Sequence, residues 1–272
     1  MSSPTDRFFL ALHAYQQVRH ELLHADPTGQ DWHDAIAAMP LDEEETFSEG
    51  MLLLGVSESG RALGLDVYDP EQGSVLISGD GGCGKTSLLH ALAVASADLP
   101  NVLFGALTPF PQEWRAYEAL PNCLGIWRSD HPAGIECLRQ IMDQADALTK
   151  TRQVILLLVD NFDLMNLGPS GNCCIRWLVT EGPTYQIWPV LVLHPMRLHR
   201  LGDLLEQCRT RIFGHVRRYR TACLLTGEPP LDLGGLIPGL QFYLSSPQGC
   251  ERFWIPPLEG VFHERWNAMV RQ

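Results

Sequence analysis

The run Ser74-Val75-Leu76-Ile77-Ser78-Gly79-Asp80-Gly81-Gly82-Cys83-Gly84-Lys85-Thr86 decides the fold. Its first five residues read as a short buried strand, and the next eight satisfy Gly-x-x-x-x-Gly-Lys-Thr. Glycines at 79, 81, 82 and 84 let backbone N–H groups converge on a polyphosphate, Lys85 reaches the β and γ phosphates, and the Thr86 hydroxyl is placed to ligate Mg²⁺. From Ser87 to Ala95 apolar residues recur at helical spacing, so a helix N-terminus faces the anion. The candidate nucleotide-binding residues are therefore Gly79, Asp80, Gly81, Gly82, Cys83, Gly84, Lys85, Thr86 and Ser87.

A second half-site follows downstream. Val154-Ile155-Leu156-Leu157-Leu158-Val159 is continuously apolar and ends in Asp160, the pattern of a parallel strand buried on both faces with an acid at its C-terminal edge. Such an acid holds the Mg²⁺ water shell opposite Thr86, so both residues are candidate metal ligands.

Composition narrows the class. At 272 residues and 45% hydrophobic, the chain can bury the core of one α/β domain with an N-terminal extension. The net charge of −12 argues against coating nucleic acid over the whole surface, though not against a local basic channel. The only lysines are Lys85 and Lys150. Eight cysteines form no Cys-x-x-Cys and no zinc pattern with the histidines, which fits a reducing cytoplasm. Cys83, inside the loop, reads as a small residue at a variable position rather than a redox switch. No apolar run is long enough to span a bilayer, so no membrane segment is expected.

Residues 1–50 read as an extension: an amphipathic helix over 6–25 and the acidic linker Asp42-Glu43-Glu44-Glu45. Residues 51–272 read as the main domain, entered through a β-hairpin at 51–56 and 62–67. From residue 74 strands alternate with helices: strands at 101–107, 123–127, 153–159, 189–193 and 211–216, helices at 111–119, 132–148, 172–181 and 198–207. Short strands are expected at 221–226, 240–244 and 250–255, and a terminal helix at 259–270. The fold class is α/β, a P-loop NTPase of RecA-like type with a mainly parallel sheet covered on both faces.

No Asn-Lys-x-Asp of a GTPase and no Leu-Ser-Gly-Gly-Gln of a transporter ATPase is present. A small-molecule phosphotransferase would need an arginine lid after the metal strand, and none is evident. Over roughly residues 50–256 the chain resembles the FtsK/SpoIIIE-like branch of the FtsK–HerA motor ATPases, including the ATPase modules of type VII secretion motors. The segments that carry the resemblance, in order, are the hairpin from Gly55 to Gly73, Ala119 to Cys123, Leu124 to Arg128, Ile135 to Arg152, Leu157 to Leu164, Val190 to His194, Thr210 to Phe213 and Pro238 to Leu244.

The resemblance implies ATP and Mg²⁺ as ligands and a homo- or hetero-oligomeric ring that translocates DNA or a secreted polypeptide. It also implies a polar sensor at His194 and an arginine finger at Arg211; the arginine-rich stretch Arg209 to Arg220 reads equally as a nucleic-acid contact or a solvated charged edge. Members usually carry a Glu after the metal-binding Asp to polarise the attacking water. Here that position is Asn161, whose amide cannot accept a proton at neutral pH, and Asp163 is the nearby candidate to substitute for it. Lys85, Asp160, Asp163 and Arg211 are thus the candidate catalytic residues. Two functions are consistent with this pattern: a motor ATPase module, and a nucleotide-dependent switch or scaffold that binds ATP without turning it over.

Overall fold

The computed structural model describes residues 50–58, 62–97, 99, 101–162, 167–247 and 249–255, all within the second of two units into which the chain divides, Thr46–Gln272. The helices expected at 6–25 and 259–270, the acidic linker and Asp163 lie outside the described residues.

Ten strands form one sheet in the order β2-β1-β10-β9-β8-β3-β7-β6-β4-β5. Six of them are parallel: β8 (Thr210–Phe213), β3 (Val75–Ser78), β7 (Ile187–Leu193), β6 (Val154–Val159), β4 (Val102–Thr108) and β5 (Cys123–Arg128). The other four add antiparallel: β9 (Gln241–Ser246), β10 (Gly249–Trp254), β1 (Met51–Ser57) and β2 (Ala62–Asp66). The hairpin β1–β2 precedes the phosphate loop in the chain yet pairs with the far C-terminal hairpin, Val56 opposite Trp254.

Side chains on the buried strands alternate between two cores, as the two-residue period of a strand requires. On β6, Leu156 and Leu158 face a layer containing Leu88, Leu89, Trp114 and Phe242, whereas Ile155, Leu157 and Val159 face a layer containing Leu138, Ile175 and Phe162. The first layer is covered by α1 (Lys85–Ser96), the helix that begins inside the phosphate loop. The second is covered by α2 (Pro132–Asp143), α3 (Ala145–Thr151) and α4 (Gly168–Thr180).

Four elements differ from expectation. The helix expected at 132–148 is two helices, α2 and α3, meeting at Gln144. The segment expected as helix 111–119 is a 3₁₀ helix, Pro111–Tyr117. The helix expected at 198–207 is a 3₁₀ turn, Pro195–Arg200, followed by the short α5 (Leu204–Gln207), with Gly202 at φ 55 between them. The strand expected at 221–226 is a helix, α6 (Tyr219–Thr226). There Thr221, Ala222 and Leu225 are buried while Leu224 is 73% exposed, which is helical and not alternating burial.

Candidate nucleotide-binding site

The parallel strands deliver their C-terminal ends to one edge of the sheet, where open α/β sheets bind ligands. Residues 79–84 leave β3 there and turn into α1. Gly84 caps that helix at φ 91, ψ 15, and a Cβ at this position would lie 2.6 Å from the Cα of Gly239. Only glycine meets both conditions. The loop is anchored from outside as well: Gly239 N donates to Cys83 O at 3.1 Å and Asp80 N to His215 O at 3.0 Å. The Asp80 carboxylate accepts from Arg217 N at 2.9 Å. Sequence reasoning placed Asp80 and Cys83 among the ligand-binding residues, but missed Gly239, His215 and Arg217 as their supports. Nothing local marks those positions, because the contacts cross more than a hundred residues.

Lys85 Nζ donates to the loop's own carbonyls, Gly79 O at 2.8 Å and Asp80 O at 2.7 Å, and lies 3.7 Å from Cys83 Sγ. The Cys83 thiol is 1% exposed, and burial raises its pKa in spite of the neighbouring ammonium. That combination disfavours thiolate chemistry. Gly81 and Gly82 are exposed at the tip of the loop, and Ser87 is half-buried in the first turn of α1.

Thr86 and Asp160, 74 residues apart, are brought together across the edge: Thr86 Oγ1 donates to both carboxylate oxygens at 3.2 Å. Asp160 is 3% exposed, and burial pushes its pKa up, opposed by the Thr86 hydroxyl and more weakly by Lys85; the Glu113 charge adds to the rise. A buried carboxylate with so little compensating positive charge, next to a hydroxyl, is an all-oxygen donor set suited to a hard cation. Mg²⁺ fits it. No cluster of three or more His, Cys, Asp or Glu side chains able to hold a metal occurs among the described residues. A bound ion would supply charge neutralisation at a nucleotide's β and γ phosphates. Thr86 and Asp160 are the residues that would hold it, with Lys85 and the α1 amides facing the anion.

The remaining candidates sit around this pair. Asn161 follows Asp160 in a left-handed conformation, φ 49, and is exposed. His194 leaves β7 between β3 and β6, and its Nδ1 accepts from Met196 N at 3.3 Å, capping the 3₁₀ turn that follows. Arg211 is half-buried and donates to Cys208 O at 3.0 Å and to Leu205 O at 2.8 Å, so its guanidinium is engaged in closing the end of α5. Arg209 pairs with Glu71 at 2.7 Å. Arg217, Arg218 and Arg220 are also exposed.

No family model matches the chain, and no curated protein matches it. Solved structures do. Thermomonospora curvata EccC, ATPases 2 and 3 in complex with a signal sequence peptide, superposes with a TM-score of 0.63 at 14% identity over 80% of this chain and 42% of that one. EssC ATPases 2 and 3 from Geobacillus thermodenitrificans give 0.60 at 16% identity over 76% and 44%. The pCW3 conjugation coupling protein TcpA, in its monomer form with ATPγS, gives 0.61 at 14% identity over 85% and 73%. The chain has the P-loop fold of these secretion and conjugation ATPases. It spans less than half the length of either secretion ATPase structure. At these identities the likeness is one of backbone, and the side chains that define chemistry are those of this chain alone. Within the shared fold, the phosphate loop and Asp160 occupy the strand ends at the sheet's C-terminal edge, and no helix among the described residues is long and apolar enough to cross a membrane.

Proposed function

We propose that this chain is an ATP- and Mg²⁺-binding motor ATPase module of FtsK-like type, cytoplasmic, acting in a ring or beside other ATPase modules to move DNA or a polypeptide. The observation that carries the reading is the Thr86–Asp160 contact at 3.2 Å, with Lys85 at the start of the same helix as Thr86. Anion cradle, ammonium and metal donors thus converge at one strand edge, the set that phosphoryl transfer from a nucleoside triphosphate needs. The compared secretion ATPases carry modules numbered 2 and 3 in one chain, which supports a role within a larger array. The arginines at 217, 218 and 220, exposed next to the loop that Asp80 latches, are better placed than Arg211 to reach a neighbouring module or a polyanion.

Asn161 favours a second reading, a module that binds ATP and switches contacts without turnover. One experiment separates the two. Purified protein is titrated with ATP and Mg²⁺, and phosphate release is followed with and without double-stranded DNA, alongside Lys85→Ala. Binding and release that both vanish in the variant support the motor. Lys85-dependent binding without release supports the switch. Binding that survives Lys85→Ala refutes the site.

A further inference from the structure

We propose that Glu113 is the carboxylate that polarises the attacking water, the task for which Asn161 is chemically unfit; the inference rests on the ATPase reading above. Four observations place it. First, β4 and β6 are adjacent and parallel, with Leu107 opposite Val159 and Asp160 N donating to Leu107 O at 2.9 Å. The segment leaving β4 therefore departs from the same edge, at the same level, as Asp160. Second, that segment turns at once: Phe110 N donates to Thr108 Oγ1 at 3.1 Å, Pro111 opens the 3₁₀ helix, and Glu113 N donates to Phe110 O at 3.1 Å.

Third, the 3₁₀ helix is braced against the phosphate-loop helix itself. Trp114 is fully buried and meets His90 of α1 edge-on with ring centroids 4.5 Å apart, and Tyr117 stacks on the same imidazole at 4.3 Å. Glu113, beside Trp114, is exposed and its carboxylate makes no hydrogen bond or ion pair among the described residues.

Fourth, Asn161 belongs to the other layer. With Leu107, Pro109, Ser129, Phe162 and Arg197 it lines a cavity of about 100 Å³, and Leu107, Val159 and Phe162 of that lining pack in the core opposite α1. Trp114 and Tyr117 pack in the core beneath α1. The segment that carries Glu113 is thus braced on the phosphate-loop side of the sheet, and Asn161 on the other.

In the step assigned to it, the water oxygen bonds to the γ phosphorus as the bond from that phosphorus to the β–γ bridging oxygen breaks. That bridging oxygen leaves on ADP with the bonding pair. The proton released by the water passes to a Glu113 carboxylate oxygen and from there to the phosphate product, so Glu113 ends the cycle ionised.

The test compares Glu113→Gln, Glu118→Gln and Asp163→Asn in the full chain by single-turnover phosphate release, Mg·ATP affinity and the fraction of unhydrolysed ATP retained on the protein. Glu118 is an exposed neighbour on the same segment and serves as the control. Glu113→Gln is expected to slow release by about 10²–10⁴-fold while affinity is unchanged and retained ATP rises, with Glu118→Gln like wild type. Release at the wild-type rate from Glu113→Gln overturns the assignment, as does a loss seen in Asp163→Asn but not in Glu113→Gln. Wild type that binds ATP but never releases phosphate overturns it too, leaving nucleotide binding intact. Wild type that binds no ATP overturns both this inference and the reading beneath it.

Discussion

His90 makes the bracing of the phosphate-loop helix sensitive to acid, and the size of the effect follows from its surroundings. Its ring packs in one cluster with Trp114 and Tyr117, its Nε2 is buried without a hydrogen-bond partner, and burial lowers its pKa from 6.5 to about 4. Between those values the unfolded chain takes up a proton that the folded chain refuses. Stability from this group is therefore complete above pH 6.5 and is lost as pH falls towards 4. At about 1.4 kcal/mol per pKa unit, the loss is about 2 kcal/mol at pH 5 and approaches about 3 kcal/mol below pH 4. The perturbation is His90→Phe, which keeps an aromatic ring in the wedge but cannot titrate. Urea denaturation of wild type and variant at pH 7.5 and pH 5.0 yields four unfolding free energies. Carboxylates elsewhere contribute equally to both proteins and cancel in the double difference. The wild type should lose about 2 kcal/mol more than the variant between the two pH values. Equal losses, within about 0.5 kcal/mol, would show that the imidazole is solvated or hydrogen-bonded in the folded protein and refute the reasoning.

Gly84→Ala forces a side chain into φ 91 and against Gly239 Cα, costing at least about 1–2 kcal/mol and weakening ATP binding; a Tm and affinity equal to wild type would contradict the loop geometry. Asp160→Asn removes a buried charge whose pKa is raised, so the ATP-free protein should be at least as stable as wild type at pH 7, while the Mg²⁺-dependent part of the ATP thermal shift disappears. Phe253→Ala, fully buried where the C-terminal hairpin joins β1, should cost about 3–5 kcal/mol in chemical denaturation. Among the eight cysteines, a maleimide should modify the exposed Cys173 and Cys250 first in the native protein and reach Cys83 and Cys208 only on unfolding, as mass mapping of labelled peptides would show.

The phosphate loop, the six apolar residues before Asp160 and the alternation of strands with helices after residue 74 were legible because each is a local pattern with a local cause. Glycines that free the backbone, a lysine and threonine at a helix start, and apolar runs of strand length all carry their meaning within a dozen residues. The errors were of one kind. At 221–226 the run Thr-Ala-Cys-Leu-Leu-Thr is too short for its period to be counted, and one exposed leucine with three buried neighbours decides for helix. At 111–119, Pro111 and the fit of Trp114 against His90 select a 3₁₀ helix over an α-helix.

What the sequence alone determined about this protein is that it carries a phosphate-loop motif at a strand-to-helix turn in a parallel α/β sheet, because that pattern is written in adjacent residues. Tertiary structure decided which distant groups meet there. It set Thr86 against Asp160, latched Asp80 to Arg217, seated Gly239 on Gly84, and braced the segment that carries Glu113 against α1 through Trp114 and His90. These pairings span tens to more than a hundred residues. They are chosen by strand order and by which face each side chain presents, and neither is encoded in any local stretch of the chain.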